Sequence, residues 1–316
     1  MNNSIYTPVL FLIFNRLDTT KLVFERIRKA SPLKLYIASD GPRDNCEGEN
    51  EKVNSVREFV LKSINWNCEV KTLFCQKNSG CGKAVSQAIT WFFENEEMGI
   101  ILEDDCLPSV SFFNFCQKLL KEYKDNEDIY HITGYNPLTY TNMAQSYYFA
   151  RIPHVWGWAT WRRAWKQYSF DIIDLDNFIK QKKMDAIFNR KFDRYYFLIF
   201  FSKMEKHEID TWDYQWTYTI MKNNGVCINP ARNLITNVGF GPDATHTIID
   251  DIKYSQQQRF EIEEIIHQNE IEINVKLMNL INREIYGINL FWYYKTRIKN
   301  IIKRIISVKI SYPNRQ

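Results

Sequence analysis

Gly99-Ile100-Ile101-Leu102-Glu103-Asp104-Asp105 is an apolar run of strand length that ends in three consecutive acids. Four buried-type residues bounded this way read as a strand inside an α/β sheet rather than as an exposed one. Adjacent carboxylates repel one another, so a triplet at a strand end makes structural sense when a cation or a cationic side chain neutralises it. Hard ions such as Mg2+ or Mn2+ prefer such oxygen ligands and leave positions open for phosphate oxygens. The plain alternative is an acidic strand-to-helix loop whose aspartates sit at a helix N-terminus.

Working outward, Pro8–Phe14 reads as a buried strand, Asp18–Ala30 carries helical periodicity, and Leu33–Ser39 reads as a second strand closed by Asp40-Gly41-Pro42. A polar helix over Glu49–Ser63, a strand Glu69–Phe74, a helix Ala84–Asn95, the acidic strand, a helix Phe112–Tyr123 and a strand Ile129–Tyr135 follow. Alternation of this kind predicts an α/β fold with a doubly wound, mostly parallel sheet, a mainly helical C-terminal half and an amphipathic C-terminal helix. Three segments are expected: 1–140, 141–287 sharing the same core, and a tail 288–316. Ligands of doubly wound sheets sit beyond the carboxyl ends of the strands. Asn15, Arg16 and Asp40, which follow the first two strands, would therefore face the same crevice as Glu103–Asp105. Asp40 can accept from a ribose hydroxyl or a base N–H, and Arg16 can pair with phosphate. Taken singly, Asp40 is a turn residue and Arg16 a surface cation. Gly80-Cys81-Gly82-Lys83 has neither the spacing of a P-loop nor that of a dinucleotide fingerprint.

The 316 residues include 45% hydrophobic and 25% charged types, with only 11 Gly and 9 Pro, which excludes a disordered or collagen-like chain. The longest apolar runs, Val9–Phe14 and Tyr195–Phe201, are far shorter than the roughly 20 residues a spanning helix needs. Seven cysteines without CxxC spacing suit reduced thiols, and the expected location is cytoplasmic, on or off the inner face of a membrane. Lys and Arg exceed Asp and Glu by 4, yet residues 291–316 alone hold seven cations and no acid. In that tail Phe291, Tyr294, Ile298, Ile301, Ile302, Ile305 and Val308 recur at helical spacing. Such a helix either lies on an anionic membrane surface or docks on the body by its apolar stripe. Nucleic acid is not an expected partner, because the body of the chain is slightly acidic.

Two later segments can carry chemistry. Trp156-Gly157-Trp158-Ala159-Thr160-Trp161-Arg162-Arg163-Ala164-Trp165 packs four indoles into ten residues. Flat indole faces suit the apolar face of a sugar, with Trp156 and Trp158 as contacts and Arg162 as a phosphate or sugar partner; the alternative is a Trp-rich core corner. Thr211-Trp212-Asp213-Tyr214-Gln215-Trp216 sets Asp213 among aromatics, a setting that raises a carboxyl pKa and excludes water, as a general base requires. Asp213 could equally serve as a first-turn helix acid.

The strand with Asn15-Arg16, the strand ending in Ser39-Asp40, and Ile100–Leu102 followed by Glu103-Asp104-Asp105, Leu107 and Phe112-Phe113 resemble nucleotide-sugar glycosyltransferases of the GT-A fold. The match, over residues 8–115, is to the protein N-acetylglucosaminyltransferase I branch, and the Trp segment is similar to related bacterial polysaccharide glycosyltransferases. The resemblance implies a nucleotide-sugar donor, a UDP-sugar such as UDP-GlcNAc, and a glycan or lipid-linked acceptor in surface polysaccharide synthesis. It implies Mn2+ or Mg2+ on Asp105, donor ribose and sugar held by Glu103 and Asp104, and the nucleoside contacted by Asp40. It further implies Asp213 as the base of an inverting transfer, although Tyr214 stands where the branch has a second acid. His246, at the end of Gly239-Phe240-Gly241-Pro242-Asp243-Ala244-Thr245-His246, would complete the metal or diphosphate site. A metal-dependent nucleotidyltransferase and a non-catalytic sugar-binding module are the rival readings.

Overall fold

The computed structural model describes residues 5–240 and 257–311, with side chains through residue 301. The first strand, β1 (Val9–Ile13), leads through α1 (Leu17–Ala30) to β2 (Lys34–Ser39), and α2 (Glu49–Ser63) returns the chain to β3 (Glu69–Phe74). Then α3 (Cys81–Asn95) crosses back over the sheet to β4 (Met98–Glu103), which is followed by the short β5 (Cys106–Pro108), α4 (Ser111–Glu122) and β6 (Ile129–Thr133). Every element read from the first 135 residues is present within a few positions of its expected bounds. The largest difference is the start of α3, three residues earlier than expected, for a reason that lies 128 residues away and is given below.

The second half supplies β7 (Tyr147–Ala150), β8 (Trp158–Trp161) and β9 (Val226–Pro230) to the same sheet, whose order is β3-β2-β1-β4-β8-β6-β9-β7. β1 to β4 pair in parallel, whereas β8 runs antiparallel between β4 and β6, and β7 runs antiparallel on β9. A second, two-stranded sheet joins β5 to β10 (Ile235–Asn237). The helices of this half are α5 (Arg162–Trp165), α6 (Leu175–Lys180), α7 (Lys183–Ile187), α8 (Lys191–Glu205), α9 (Asp213–Lys222), α10 (Val275–Glu284) and α11 (Leu290–Ser311).

Alternation along the strands sends residues to opposite faces. Val9, Phe11, Ile13, Leu35 and Ile37 pack on α1, α2 and α4, while Leu10, Leu12, Tyr36 and Ile101 pack on α3, α5 and α9. Helices thus cover both faces, as a parallel sheet requires. A third cluster, built from α6 to α10, sits against Tyr148 and Ala150 of β7. Because β4 has β1 on one side and β8 on the other, and the order turns at β1, the crevice of a doubly wound sheet opens where β1 and β4 end.

One buried polar chain ties β6 to the second half. Trp216 Nε1 donates to His131 Nδ1 at 3.2 Å, which leaves His131 Nε2 to donate to the His154 carbonyl at 3.0 Å. Trp158 stacks on both His131 and Trp212. Burial pulls the imidazole pKa of His131 and of His154 down to about 3, so both stay neutral. A histidine depressed in this way contributes stability that is complete above the unfolded pKa of about 6.5 and is lost as pH falls toward the folded value. Each should therefore cost roughly 2 kcal/mol between pH 8 and pH 5. In urea titrations over that range, His131→Gln is expected to be less stable at pH 8 but to show a distinctly shallower loss toward pH 5 than the parent; an unchanged slope would remove the imidazole from the account.

Candidate active site

Three carboxylates at the end of β4 cannot remain charged and close together in a dry crevice without a counter-charge. The adjacent strand supplies one. Arg16, three residues beyond β1 and at the N-cap of α1, places Nη2 at 2.8 Å from Asp105 Oδ2 and 3.0 Å from Asp104 Oδ1. Asp104 also accepts from the Phe14 N–H at 3.2 Å, so both of its oxygens are engaged. Burial lowers the pKa of the Arg16 guanidinium, but the charges of Asp104 and Asp105 outweigh it and the net shift is upward. Glu103 is pushed up by burial and then by Asp105, Asp104 and Asp213, with Arg16 opposing. Asp104 is pushed up by burial, against the pull of Arg16. Glu103 can therefore act as a hydroxyl-like donor as well as an acceptor.

The chain returns to this cluster from far downstream. Val238 N–H donates to the Asp105 carbonyl at 2.8 Å, and the Gly239 carbonyl lies 3.4 Å from Arg16 Nη1. A Cβ on Gly239 would stand 2.2 Å from Asp105 Oδ2 and 2.6 Å from Arg16 Nη1, so only glycine allows this approach.

Arg16, Asp40, Arg43, Glu103 and Asp104 line a cavity of about 250 Å³ at the ends of β1, β2 and β4. Asp40 accepts from the N–H groups of Gly41 and Ser79, which holds the loop before α3 against the end of β2; burial raises its pKa despite those bonds. Asn15 stands beside the cavity with its amide on Glu49 Oε1 at 2.9 Å, and Glu49 also binds Arg43. Trp156, Asp213, Phe240, Tyr135, His154 and Tyr286 line a second cavity of about 350 Å³. Asp213 opens α9, accepts from Thr211 Oγ1, and is close enough to Glu103 for its charge to raise that carboxyl. Arg16, Asp40, Glu103 and Asp104 thus share the first cavity, with Asp105 paired to Arg16, while Asp213 and Trp156 line the second.

Two expected sugar contacts lie elsewhere. Trp158 is fully buried between His131, Trp212 and Trp216, because strand β8 is interior on both faces. Trp161, next to Arg162, pairs with Met98 at the opposite end of β4, and Arg162 Nε donates to the Glu96 carbonyl at 3.0 Å. Antiparallel insertion of β8 carries Arg162 away from the acidic end. Of the indoles in this segment Trp156 lines the cavity that holds Asp213, whereas Trp165 lines a separate one with Arg162, Thr90, Phe93 and Tyr168. His246 lies outside the described residues.

Asp213 is not the lone acid of its segment. Asp210, three residues earlier, accepts from the N–H groups of Cys81 and Gly82, each at 2.9 Å, and so caps α3 from across the molecule. That cap is why α3 begins at Cys81; these donors would otherwise be unsatisfied at the helix start. The neighbouring acids Glu103, Asp210, Asp213 and Asp105 follow burial in pushing the Cys81 thiol up to about 12, which keeps it protonated. Arg57 is a further residue not anticipated from sequence: it donates to the carbonyls of Ser39, Asp40 and Cys75 and so clamps the ends of β2 and β3 together. Its spacing with Val53, Val56 and Val60 marks it as an inward-facing cation of α2, which was the available signal.

A hard divalent ion needs oxygen donors and can be shared between one or two carboxylates and substrate phosphates. Asp105 meets that requirement, since among the described residues its Oδ1 has only the weak Cys106 thiol contact at 3.4 Å. Among the described residues no group of three or more His, Cys, Asp or Glu is arranged to hold a metal, so a cation here would draw most of its ligands from phosphate and water.

No protein-family model matches the chain, and no curated protein matches it in sequence. Solved structures align to parts of it. They include a mannosyltransferase of Pyrobaculum calidifontis in complex with GDP-mannose and Mn2+ (12% identity, 50% of this chain and 45% of that one, TM-score 0.34). A UDP-glucose pyrophosphorylase complexed with UDP-glucose (9%, 73% and 92%, 0.36) and an inositol-1-phosphate CTP transferase of T. maritima (11%, 52% and 74%, 0.33) also align. The chain thus spans under half the length of the mannosyltransferase, and likeness of this degree carries no argument about activity.

Asp210→Ala should lower stability by about 1–2 kcal/mol through loss of the cap, with Asp210→Asn recovering part of it, as read by urea midpoints. Equal midpoints for Asp210→Ala and the parent would mean that solvent satisfies the α3 donors equally well.

Proposed function

We propose that this protein is a glycosyltransferase that moves a sugar from a nucleoside-diphosphate donor to a hydroxyl of a glycan or lipid-linked acceptor. The observation that carries the reading is the paired arrangement around the acidic end of β4: a polar cavity with Asp40 and Arg16 on one side, and an aromatic cleft with Asp213 on the other. A nucleoside fits the first, since Asp40 can accept from a ribose or base donor while Arg16 and Arg43 offer positive charge to phosphate. Glu103 and Asp104, which line the first cavity, are suited to the hydroxyls of the donor sugar and ribose. Trp156, Phe240 and Tyr286 offer faces on which a sugar ring can lie.

In the proposed reaction Asp213 removes the proton of the acceptor hydroxyl as its oxygen attacks the anomeric carbon. The bond from that carbon to the diphosphate oxygen breaks, the nucleoside diphosphate departs, and direct displacement inverts the anomeric configuration. Asp105 would hold a Mn2+ or Mg2+ shared with the diphosphate, which offsets charge on the leaving group. Arg16 holds Asp104 and Asp105 in register for that task. A UDP-sugar is the proposed donor.

Ligands that bind only the folded state raise its melting temperature. A panel of UDP-, GDP-, CMP- and dTDP-sugars with Mn2+ or with EDTA should show a shift for one UDP-sugar that disappears in EDTA and in Asp105→Ala. A shift of equal size in EDTA would remove the cation from the proposal. Asp213→Asn should keep the donor shift while transfer falls by about 10²–10⁴-fold. Full transfer by that variant would remove Asp213 as the base, and release of pyrophosphate in place of nucleoside diphosphate would identify a nucleotidyltransferase.

A further inference from the structure

The C-terminal helix α11 is docked on the body, but by the face opposite to its apolar stripe. Tyr293 is buried and packs on the ring of Tyr195 at 5.1 Å, Trp292 packs on Tyr195 and Tyr196, and Asn300 donates to the Tyr195 hydroxyl at 3.2 Å. Residues 292, 293, 296 and 300 therefore form the inner side against α8. At about 100° per residue, Leu290, Phe291, Tyr294, Ile298 and Ile301 fall on the far side. They are indeed outward, with Phe291 77% exposed, Ile298 57% and Ile301 51%. Of the two alternatives read from the sequence, docking by the apolar stripe is not what the described residues show, because aromatic side chains of α8 took the Trp292–Tyr293 side instead.

An outward stripe of large apolar residues on a helix is costly to leave in water. Exposed Lys295 and Lys299 flank it on one side and exposed Arg297 on the other. The sequence continues with Lys303, Arg304, Lys309 and Arg315 and contains no acid from 291 to 316. Apolar residues bordered by cations on both sides match the boundary of a bilayer that carries negative headgroups, where acyl chains take the stripe and phosphates take the cations. No helix among the described residues is long and apolar enough to cross a membrane, so the contact would lie in the surface plane.

We infer that α11 seats this protein on an anionic lipid surface through Phe291, Tyr294, Ile298 and Ile301, with Lys295, Arg297 and Lys299 on the headgroups. Charge complementarity selects this occupant over a second copy of the chain, since two identical stripes would bring like-charged flanks together. The seat is also joined to the aromatic cleft: Trp292 packs on Tyr196, Tyr196 stacks on Tyr286, and Tyr286 lines the cavity that contains Asp213. That a membrane-borne acceptor would meet this cleft rests on the transfer reading; lipid binding does not.

The test is sedimentation of the full chain with phosphatidylcholine vesicles, with and without phosphatidylglycerol, in the absence of any donor. Binding is expected on the anionic vesicles, to weaken with salt, and to be slight on phosphatidylcholine alone. Phe291→Glu with Ile298→Glu should lower the partition coefficient by at least about tenfold, because each apolar side chain withdrawn from lipid is worth a factor of that order. Lys295→Glu with Lys299→Glu should lower it on anionic vesicles only. These positions point outward, so circular dichroism and melting temperature should match the parent, which separates lost binding from lost folding. Equal binding by parent and Phe291→Glu/Ile298→Glu, or no preference for anionic lipid, would overturn the inference. So would light scattering that shows a dimer in the parent and a monomer in that variant, which would assign the stripe to a second copy. None of these readings uses transfer activity, so failure of the lipid seat and failure of the proposed reaction remain distinct.

Discussion

Arg16 between Asp104 and Asp105 is the contact on which the crevice depends. Burial alone would drive the acids of β4 to take up protons, and mutual repulsion would splay them. A guanidinium fixed at the end of the neighbouring parallel strand opposes both at Asp104 and Asp105, because β1 and β4 are paired in register and end at the same level. The Phe14 N–H adds a fixed donor to Asp104, and Gly239 lays backbone against Asp105 and Arg16 where any side chain would collide. Three segments more than 80 residues apart in sequence thus meet on one pair of carboxylates.

The rest of the molecule is arranged to keep that meeting point in place. Arg57 holds the ends of β2 and β3, Asp40 holds the loop before α3, and Asp210 caps α3 from the second half. Asp210 and Asp213 belong to the same short segment at the start of α9. The residue that fixes the α3 end of the polar cavity and the carboxylate that faces the aromatic cleft therefore move together. Insertion of β8 beside β4 gives the two halves one shared core, with Trp158 and Trp216 filling the space between sheet and helices.

The elements of the first 135 residues were legible because buried parallel strands and amphipathic helices follow local apolar spacing, which tertiary contacts reinforce instead of opposing. The acids Glu103–Asp105 and the groups Arg16 and Asp40 were legible for a related reason: a doubly wound sheet places all strand ends of one direction on one side. The Trp segment was harder. Its indoles looked alike in sequence, yet strand pairing buried Trp158 and Trp161 and left Trp156 at a cavity, since a strand with helices on both faces hides both sets of alternating residues. The second half is mainly helical as expected, and its strands were not legible because they are only three to five residues long and carry aromatic or polar residues in place of aliphatic runs.

By itself the sequence determined the alternation of strand and helix, the acids at a strand end and an amphipathic basic tail, all of which are properties of neighbouring residues. Tertiary structure decided which cation pairs with the acids, which indole lines the cavity of Asp213, what caps α3 and which face of α11 is outward. Each of those depends on partners distant in the chain, and the pairing of distant residues is set by sheet order and packing, which local spacing does not encode.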